Sequence, residues 1–211
     1  MNLSHLIKQP LTAGLCSFLI ASVTTIAPAA ADEAAEAFVQ QVLDEAEPFL
    51  DEEDATIQYE GLEALVGKYV DMRRIGLFTL GQYARQLTDR QKAEYLPLFE
   101  EFATQIYQGA LSNYSGQTLK VTGSIDRSER DIIVNSKIVD PKPGDQFADI
   151  VVHWRVYKSR SGEVSIVDAG ADNIWLAIEQ RSQFTSVIAN NGGAPAGIDA
   201  LIADLREQTS E

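Results

Sequence analysis

Thiols and imidazoles are nearly missing from this chain. Its 211 residues hold one cysteine, Cys16, and two histidines, His5 and His153. A single thiol closes no disulfide, and scattered histidines build no zinc cluster and no evident triad. No G-x-S-x-G, no P-loop and no G-x-G-x-x-G occurs anywhere, which removes the usual signatures of serine hydrolysis, nucleotide cradling and dinucleotide binding. Positive charge is short as well, at 17 Lys and Arg against 31 Asp and Glu. Nucleic acid and anionic membrane surfaces repel so acidic a protein. Exchange with a membrane is therefore expected to pass through a docked protein partner.

The longest apolar run, Leu11 to Ile26, follows a weakly positive start at Lys8 and precedes Ala29-Ala30-Ala31. Short, uncharged and closed by an A-x-A site, it predicts a cleaved secretory signal peptide over 1–31, cut between Ala31 and Asp32. Leu15 before Cys16 is too large for a lipoprotein site. Cleavage leaves residues 32–211 as one ordinary domain. Lys8 is the only charge removed, so 16 basic side chains face 31 acidic ones, net −15. No cysteine remains, and an exported domain without disulfides must stand on its core alone.

What is present is helical periodicity first. Ala34, Phe38, Val42 (or Leu43) and Ala46 predict an amphipathic helix ending near Pro48. Asp51 to Asp54 lacks the glycine and alternating ligands of an EF-hand and reads as a solvated acidic loop. Tyr59 to Val70 and Asp71 to Leu80 predict two further helices, the second closed by Gly81. The organising stretch is Arg73 to Tyr114, with one long helix. Thr88 caps it and Gln91 completes a capping box. Tyr95, Phe99, Phe102, Ile106 and Ala110 form one row, and Leu96, Ala103, Tyr107, Leu111 and Tyr114 lie beside it. Two rows make a face that needs cover on two sides, or cover on one and an apolar ligand on the other. Pro97 inside the helix removes a donor and predicts a kink near 93–97.

Beyond Gly116 the period falls to two. Leu119, Val121 and Ile125 give one strand, and Ile132, Val134 and Ile138 a second. The third is clearest: Ala148, Ile150, Val152, Trp154 and Val156 point one way, while His153, Arg155 and Tyr157 lie on a face read as mostly wet. Glu163 to Ala169 is a fourth after Ser161-Gly162. Short turns predict an antiparallel meander. Ala177 to Ala189 and a final helix near Pro195 close the chain. The fold class is α+β: a single domain with a curved antiparallel sheet of about four strands, packed by N- and C-terminal helices around an apolar cavity.

Several segments resemble the MlaC family, periplasmic phospholipid-shuttle proteins also known as toluene-tolerance proteins. They are Leu80-Gly81-Gln82-Tyr83, Asp89-Arg90-Gln91 with Tyr95, Phe99 and Phe102, Tyr107 to Leu111, and Tyr114-Ser115-Gly116-Gln117. Ile150 to Arg155, Val167-Asp168, Gln180 to Phe184, and Gly193 with Ile198 to Ile202 follow in family order. The likeness runs from about residue 59 on. It departs at Val164, where the family has Trp, and at Asn173-Ile174-Trp175, where it has Gly-Val-Ser. Trp175 is expected to reshape the pocket mouth.

The resemblance implies a non-catalytic, monomeric carrier in the periplasm, with phospholipid as cargo rather than cofactor. It would pass lipid between an outer-membrane lipoprotein complex and an inner-membrane ABC transporter bearing an MCE-domain protein, to maintain lipid asymmetry. The residues expected against acyl chains are Leu77, Leu80, Phe99, Phe102, Ile106, Tyr107, Leu111, Ile150, Val152, Trp154, Ile174, Trp175 and Phe184. Three alternatives stand beside this: a hopanoid or other lipid carrier of the same fold, a solid-cored adaptor, and a cone-fold enzyme with Asp168 as acid, paired with Arg181 or Tyr83. Asp168 otherwise reads as a structural carboxylate at the strand-to-helix joint. Arg73, Arg74, Arg85 and Arg90 form a local basic patch, either bridging acids on helix surfaces or meeting a phosphate head group or a partner.

Overall fold

The computed structural model describes residues 32–111, 118–141, 147–172 and 174–210, without the side chains of 107–111. Among them are six α-helices: α1 (Glu33–Leu50), α2 (Ala55–Tyr69), α3 (Met72–Thr79), α4 (Asp89–Leu111), α5 (Leu176–Asn190) and α6 (Ala196–Thr209). Between α4 and α5 run β1 (Thr118–Ser128), β2 (Asp131–Val139), β3 (Val151–Lys158), β4 (Val164–Ala171) and β5 (Ile174–Trp175). All neighbours pair antiparallel in chain order, in one curved, unclosed sheet. The fifth strand is two residues long and exceeds the four expected.

Local chemistry sets the helix ends. Asp32 accepts from the Ala35 amide at 2.9 Å, and Asp54 and Asp71 cap α2 and α3 in the same way. At α4 the Thr88–Gln91 capping box closes in both directions, each bond 3.2 Å. Helix α4 runs from Asp89 to Leu111 without interruption at Pro97. Helix α1 likewise passes Pro48 and ends at Leu50. Its buried stripe is Ala35, Val39 and Leu43, one residue on from the predicted Ala34 row. Phe38 turns aside to meet the Tyr69 ring edge-on at 5.6 Å, which rotates the face that the sheet covers.

Two apolar clusters result. The larger joins α3, α4, α5 and α6 through Tyr95, Phe99, Phe102, Phe184, Ile188, Ile198 and Leu205. Phe184 lies within 6.3 Å of three rings, those of Tyr95, Phe99 and Phe102. The smaller joins α1 to one sheet face through Val39, Leu43, Ile132, Val134 and Val156, with Trp154 against it. The apolar face of β3 is therefore covered by α1. The two helices at the C-terminal end, α5 and α6, are held closely: a Cβ on Gly197 would stand 2.1 Å from the Ile188 carbonyl oxygen. Gln91, fully buried, donates to the Pro195 carbonyl at 3.0 Å and to Asp199 at 2.9 Å, tying α4 to α6.

Candidate functional site

The entry into α3 fixes the site. Val70 bridges Ile166 of β4, and the Asp71 amide donates to the Ile166 carbonyl at 3.0 Å. That stitch carries Asp71, Arg73 and Arg74 over the sheet face opposite α1. Asp71 then serves twice, capping the Arg74 amide at 2.9 Å and pairing with the Arg74 guanidinium at 3.1 Å. The same guanidinium lies 3.8 Å from the centre of the Tyr157 ring on β3, close enough for a cation–π contact. At the other end of α3, Gly81 adopts φ 55°, which lets the chain leave the helix beside Arg181 and Thr185.

Between α3 and the sheet lies a cavity of about 600 Å³, lined by Asp71, Arg73, Arg74, Leu77, Phe78, Asp131, Arg155, Tyr157, Val167 and Asp168. The volume falls in the range of small-molecule sites, roughly 300–1,000 Å³. Val167 reaches it because β4 bulges there: Arg155 pairs with Asp168 and Val156 with Ile166, so Val167 is the extra residue. Arg155 grips Asp131 with two bonds of 2.8 Å, and this fork holds the Asp131 carboxyl below the ordinary carboxylate value. The face read from sequence as wet is thus the cavity floor.

Asp168 is 3% exposed. One oxygen accepts from the Ala169 and Ala177 amides, each at 2.9 Å, so the carboxyl pins the start of α5 to β4. Neither Arg181 nor Tyr83 is its partner; Arg181 instead lies over the Phe78 ring at 5.0 Å. Burial pushes the Asp168 carboxyl up, against the pull of the two amides and of Arg155. Its second oxygen is buried with no hydrogen-bond partner among the described residues.

A second cavity of about 200 Å³ opens on the other side of α3. Ile75, Thr79, Phe99, Phe102, Ala103, Ile106, Leu176 and Ala177 line it, with Glu179, Gln180 and Gln183 at its polar side. Helix α3 is the shared wall. Tyr95 lies behind it, its hydroxyl within 3.0 Å of the Gly76 carbonyl and 2.8 Å of Thr79, and burial pushes its ionisation up.

The residues expected against acyl chains are distributed accordingly. Leu77 lines the larger cavity, and Phe99, Phe102 and Ile106 the smaller. Leu80 and Phe184 are buried in the helical cluster. Trp154 packs towards α1 and donates to Ser136 Oγ at 2.9 Å. Val152 sits between Ser136 and Ala171 in the sheet, and Ile150 is half-buried just before β3. None of these three lines either cavity. Ile174 is 56% exposed. Trp175 stacks on His153 at 5.8 Å, away from both cavity linings. Tyr107 and Leu111 lie outside the described side chains. Sequence reasoning missed Phe78, Arg155, Tyr157 and Val167. The alternation of β3 put Arg155 and Tyr157 on one face, which was the available signal. The basic patch divides: Arg73 and Arg74 line the larger cavity, whereas Arg90 pairs with Glu94 and Asp199 at 2.8 Å each.

An open antiparallel sheet with a cavity between its floor and a helical layer is a fold of the α+β class. The comparisons with known proteins narrow that class. Residues 35–207 match the family of the MlaC protein, and the chain belongs to that family. The intermembrane phospholipid transport system binding protein MlaC of Haemophilus influenzae is 22% identical over 145 residues, 68% of this chain and 64% of that protein. This chain therefore aligns with just under two thirds of that relative's length. Among solved structures, the phospholipid-binding protein of Ralstonia solanacearum, in complex with a phospholipid, superposes with a TM-score of 0.68 at 23% identity. That match covers 83% of this chain and 97% of the Ralstonia chain, and it shows the shared fold.

Proposed function

We propose that this protein is a non-catalytic phospholipid carrier, exported by a cleaved leader over residues 1–31 and working in the periplasm. The observation that carries the reading is the cavity of about 600 Å³ between α3 and the sheet, walled by Leu77, Phe78, Tyr157 and Val167 and flanked by charge. Membership of the MlaC family supports it. Each exposed methylene costs about 0.8 kcal/mol in water, so an acyl chain crossing an aqueous compartment needs such a cover. Lipid is collected from and delivered to protein complexes, a lipoprotein assembly in the outer membrane and an MCE-domain ABC transporter in the inner one. The net charge of −15 left after cleavage, 16 basic against 31 acidic side chains, favours docked transfer over adsorption to anionic bilayers. Among the described residues no helix is long and apolar enough to cross a membrane.

Lipid extraction from protein purified without detergent tests the reading. Stoichiometric phospholipid is expected. A different lipid class, such as a hopanoid, would keep the carrier and change the cargo. Protein that is empty and takes up no lipid from vesicles would refute it.

A further inference from the structure

Asp32, the first residue after the expected cut, is built into the folded domain. Its backbone N–H donates to Ser124 Oγ on β1 at 2.8 Å, and that hydroxyl donates in turn to Glu36 on α1 at 2.7 Å. Its carboxyl caps α1 and also holds Lys158 of β3, and the Lys158 and Asp32 side chains are only 25% and 17% exposed. The charges around this nitrogen lean one way. Glu33 and Glu36 are in the first turn of α1 behind the Asp32 cap. Asp126 lies two positions from Ser124 on the same face of β1, because the two pair with Ile132 and Val134 under α1. One Asp126 oxygen is buried with no hydrogen-bond partner among the described residues. Against these acids stands Lys158, which is already committed to Asp32.

We propose that leader removal completes this fold: the α-ammonium created at Asp32 stays on Ser124, pairs through it with Glu36, and locks α1 onto the sheet. The proposal rests on the cut between Ala31 and Asp32 and adds what that cut does. Water hydrolyses the peptide bond, the leader keeps the carboxylate, and a neutral N–H becomes an NH3+ with three donors. A cation at a helix N-terminus ordinarily opposes the macrodipole. Here the neighbouring carboxylates reverse the sign. An opposite charge within about 4–6 Å favours the charged form by about one pKa unit or more, which outweighs the dipole at a partly exposed helix end. An uncleaved chain keeps the hydrogen bond to Ser124 and lacks the charge. Its α1, which covers the back of the sheet, is then held less firmly.

The test reads the α-amine of the exported protein, once its intact mass has placed the first residue. Folded protein is pulsed with an acylating reagent between about pH 6 and 10, and mass spectrometry separates α-amine label from lysine label. The α-amine should titrate about one unit above its ordinary range of roughly 7.7–8.0, and at pH 7 it should react about tenfold more slowly than in urea-unfolded protein. Glu36→Gln should return both values towards the ordinary ones. Gly-Ser-Gly-Ser inserted between Ala31 and Asp32 restores an amide at Asp32 and should lower the urea midpoint by about 0.5 M. A terminus that begins at Asp32 but titrates within or below the ordinary range is merely solvated or covered, and it overturns the proposal while the cut stands. An unchanged midpoint in the extended chain does the same, as does an unchanged titration in folded Glu36→Gln. A chain that begins elsewhere overturns the cut and the proposal together and leaves the carrier reading untouched. Should Glu36→Gln not fold, the parent's titration and the extended chain decide.

Discussion

Replacing Asp131 by asparagine probes the floor of the larger cavity. Arg155 donates to both Asp131 oxygens at 2.8 Å, and the two side chains are only 26% and 20% exposed. Screening by water is therefore limited, and a hydrogen bond to a charged partner contributes about 1.5–3 kcal/mol. Asparagine keeps one acceptor, loses the charge and turns an NH2 towards the guanidinium. The variant should lose about 2 kcal/mol at pH 7. With a urea slope of roughly 2 kcal/mol per molar, the midpoint falls by about 1 M. The pH dependence gives the decisive readout. The folded carboxyl is held below its ordinary value of 3.8, so the stabilisation is complete above that value and is lost as pH falls through the depressed one. The gap between parent and variant should narrow as urea melts are repeated from pH 7 down towards pH 3. A gap of the same size at both ends would mean that packing, not the ion pair, was removed, and equal midpoints at pH 7 would leave the fork without energetic weight.

Two further outcomes follow from the fold and one from the sequence. Phe184→Ala empties the space among three aromatic rings and should cost about 3–5 kcal/mol, read by calorimetry or urea melts; a loss under about 1 kcal/mol would contradict the packing. Gly197→Ala drives a methyl group towards the Ile188 carbonyl, so α5 and α6 must part, at about 1–3 kcal/mol; an unchanged melting temperature would contradict the close approach. Intact-mass measurement of the exported protein should show a chain beginning at Asp32, and retention of residues 1–31 would exclude the cleavage site.

Features written in local chemistry were readable from sequence, and those set by long-range packing were not. The Thr88–Gln91 box, the positive-φ Gly81 and the alternation of β2 each need only a few adjacent residues, and each stands where expected. β3 alternates from Val151 on, whereas Ala148 and Ile150, expected on the same strand, lie before it, Ala148 in a turn. β5 is two residues long, too short for any period to show. The floor of the larger cavity was hidden for another reason. Arg155 and Tyr157 are polar enough to pass for a wet face, and only the stitch from Val70 and Asp71 to Ile166 reveals that α3 roofs them. Conversely, Val152 and Trp154 were expected against acyl chains, but the face they share with Val156 is the one that packs on α1, and sequence patterning does not say which helix covers which side. Asp168 was legible as the carboxylate at the strand-to-helix joint; its second, unpartnered oxygen is a property of the folded surroundings.

The division of the apolar residues into two clusters bears on how cargo is exchanged. One cluster holds the helices together and the other clamps α1 to the back of the sheet, and no residue belongs to both. The space between α3 and the sheet is thus a gap between two finished bodies, neither of which relies on a guest for its packing. On the carrier reading proposed above, a cavity between two separately packed bodies would empty without opening either core, and the direction of lipid flow would then be set by the partners rather than by the carrier.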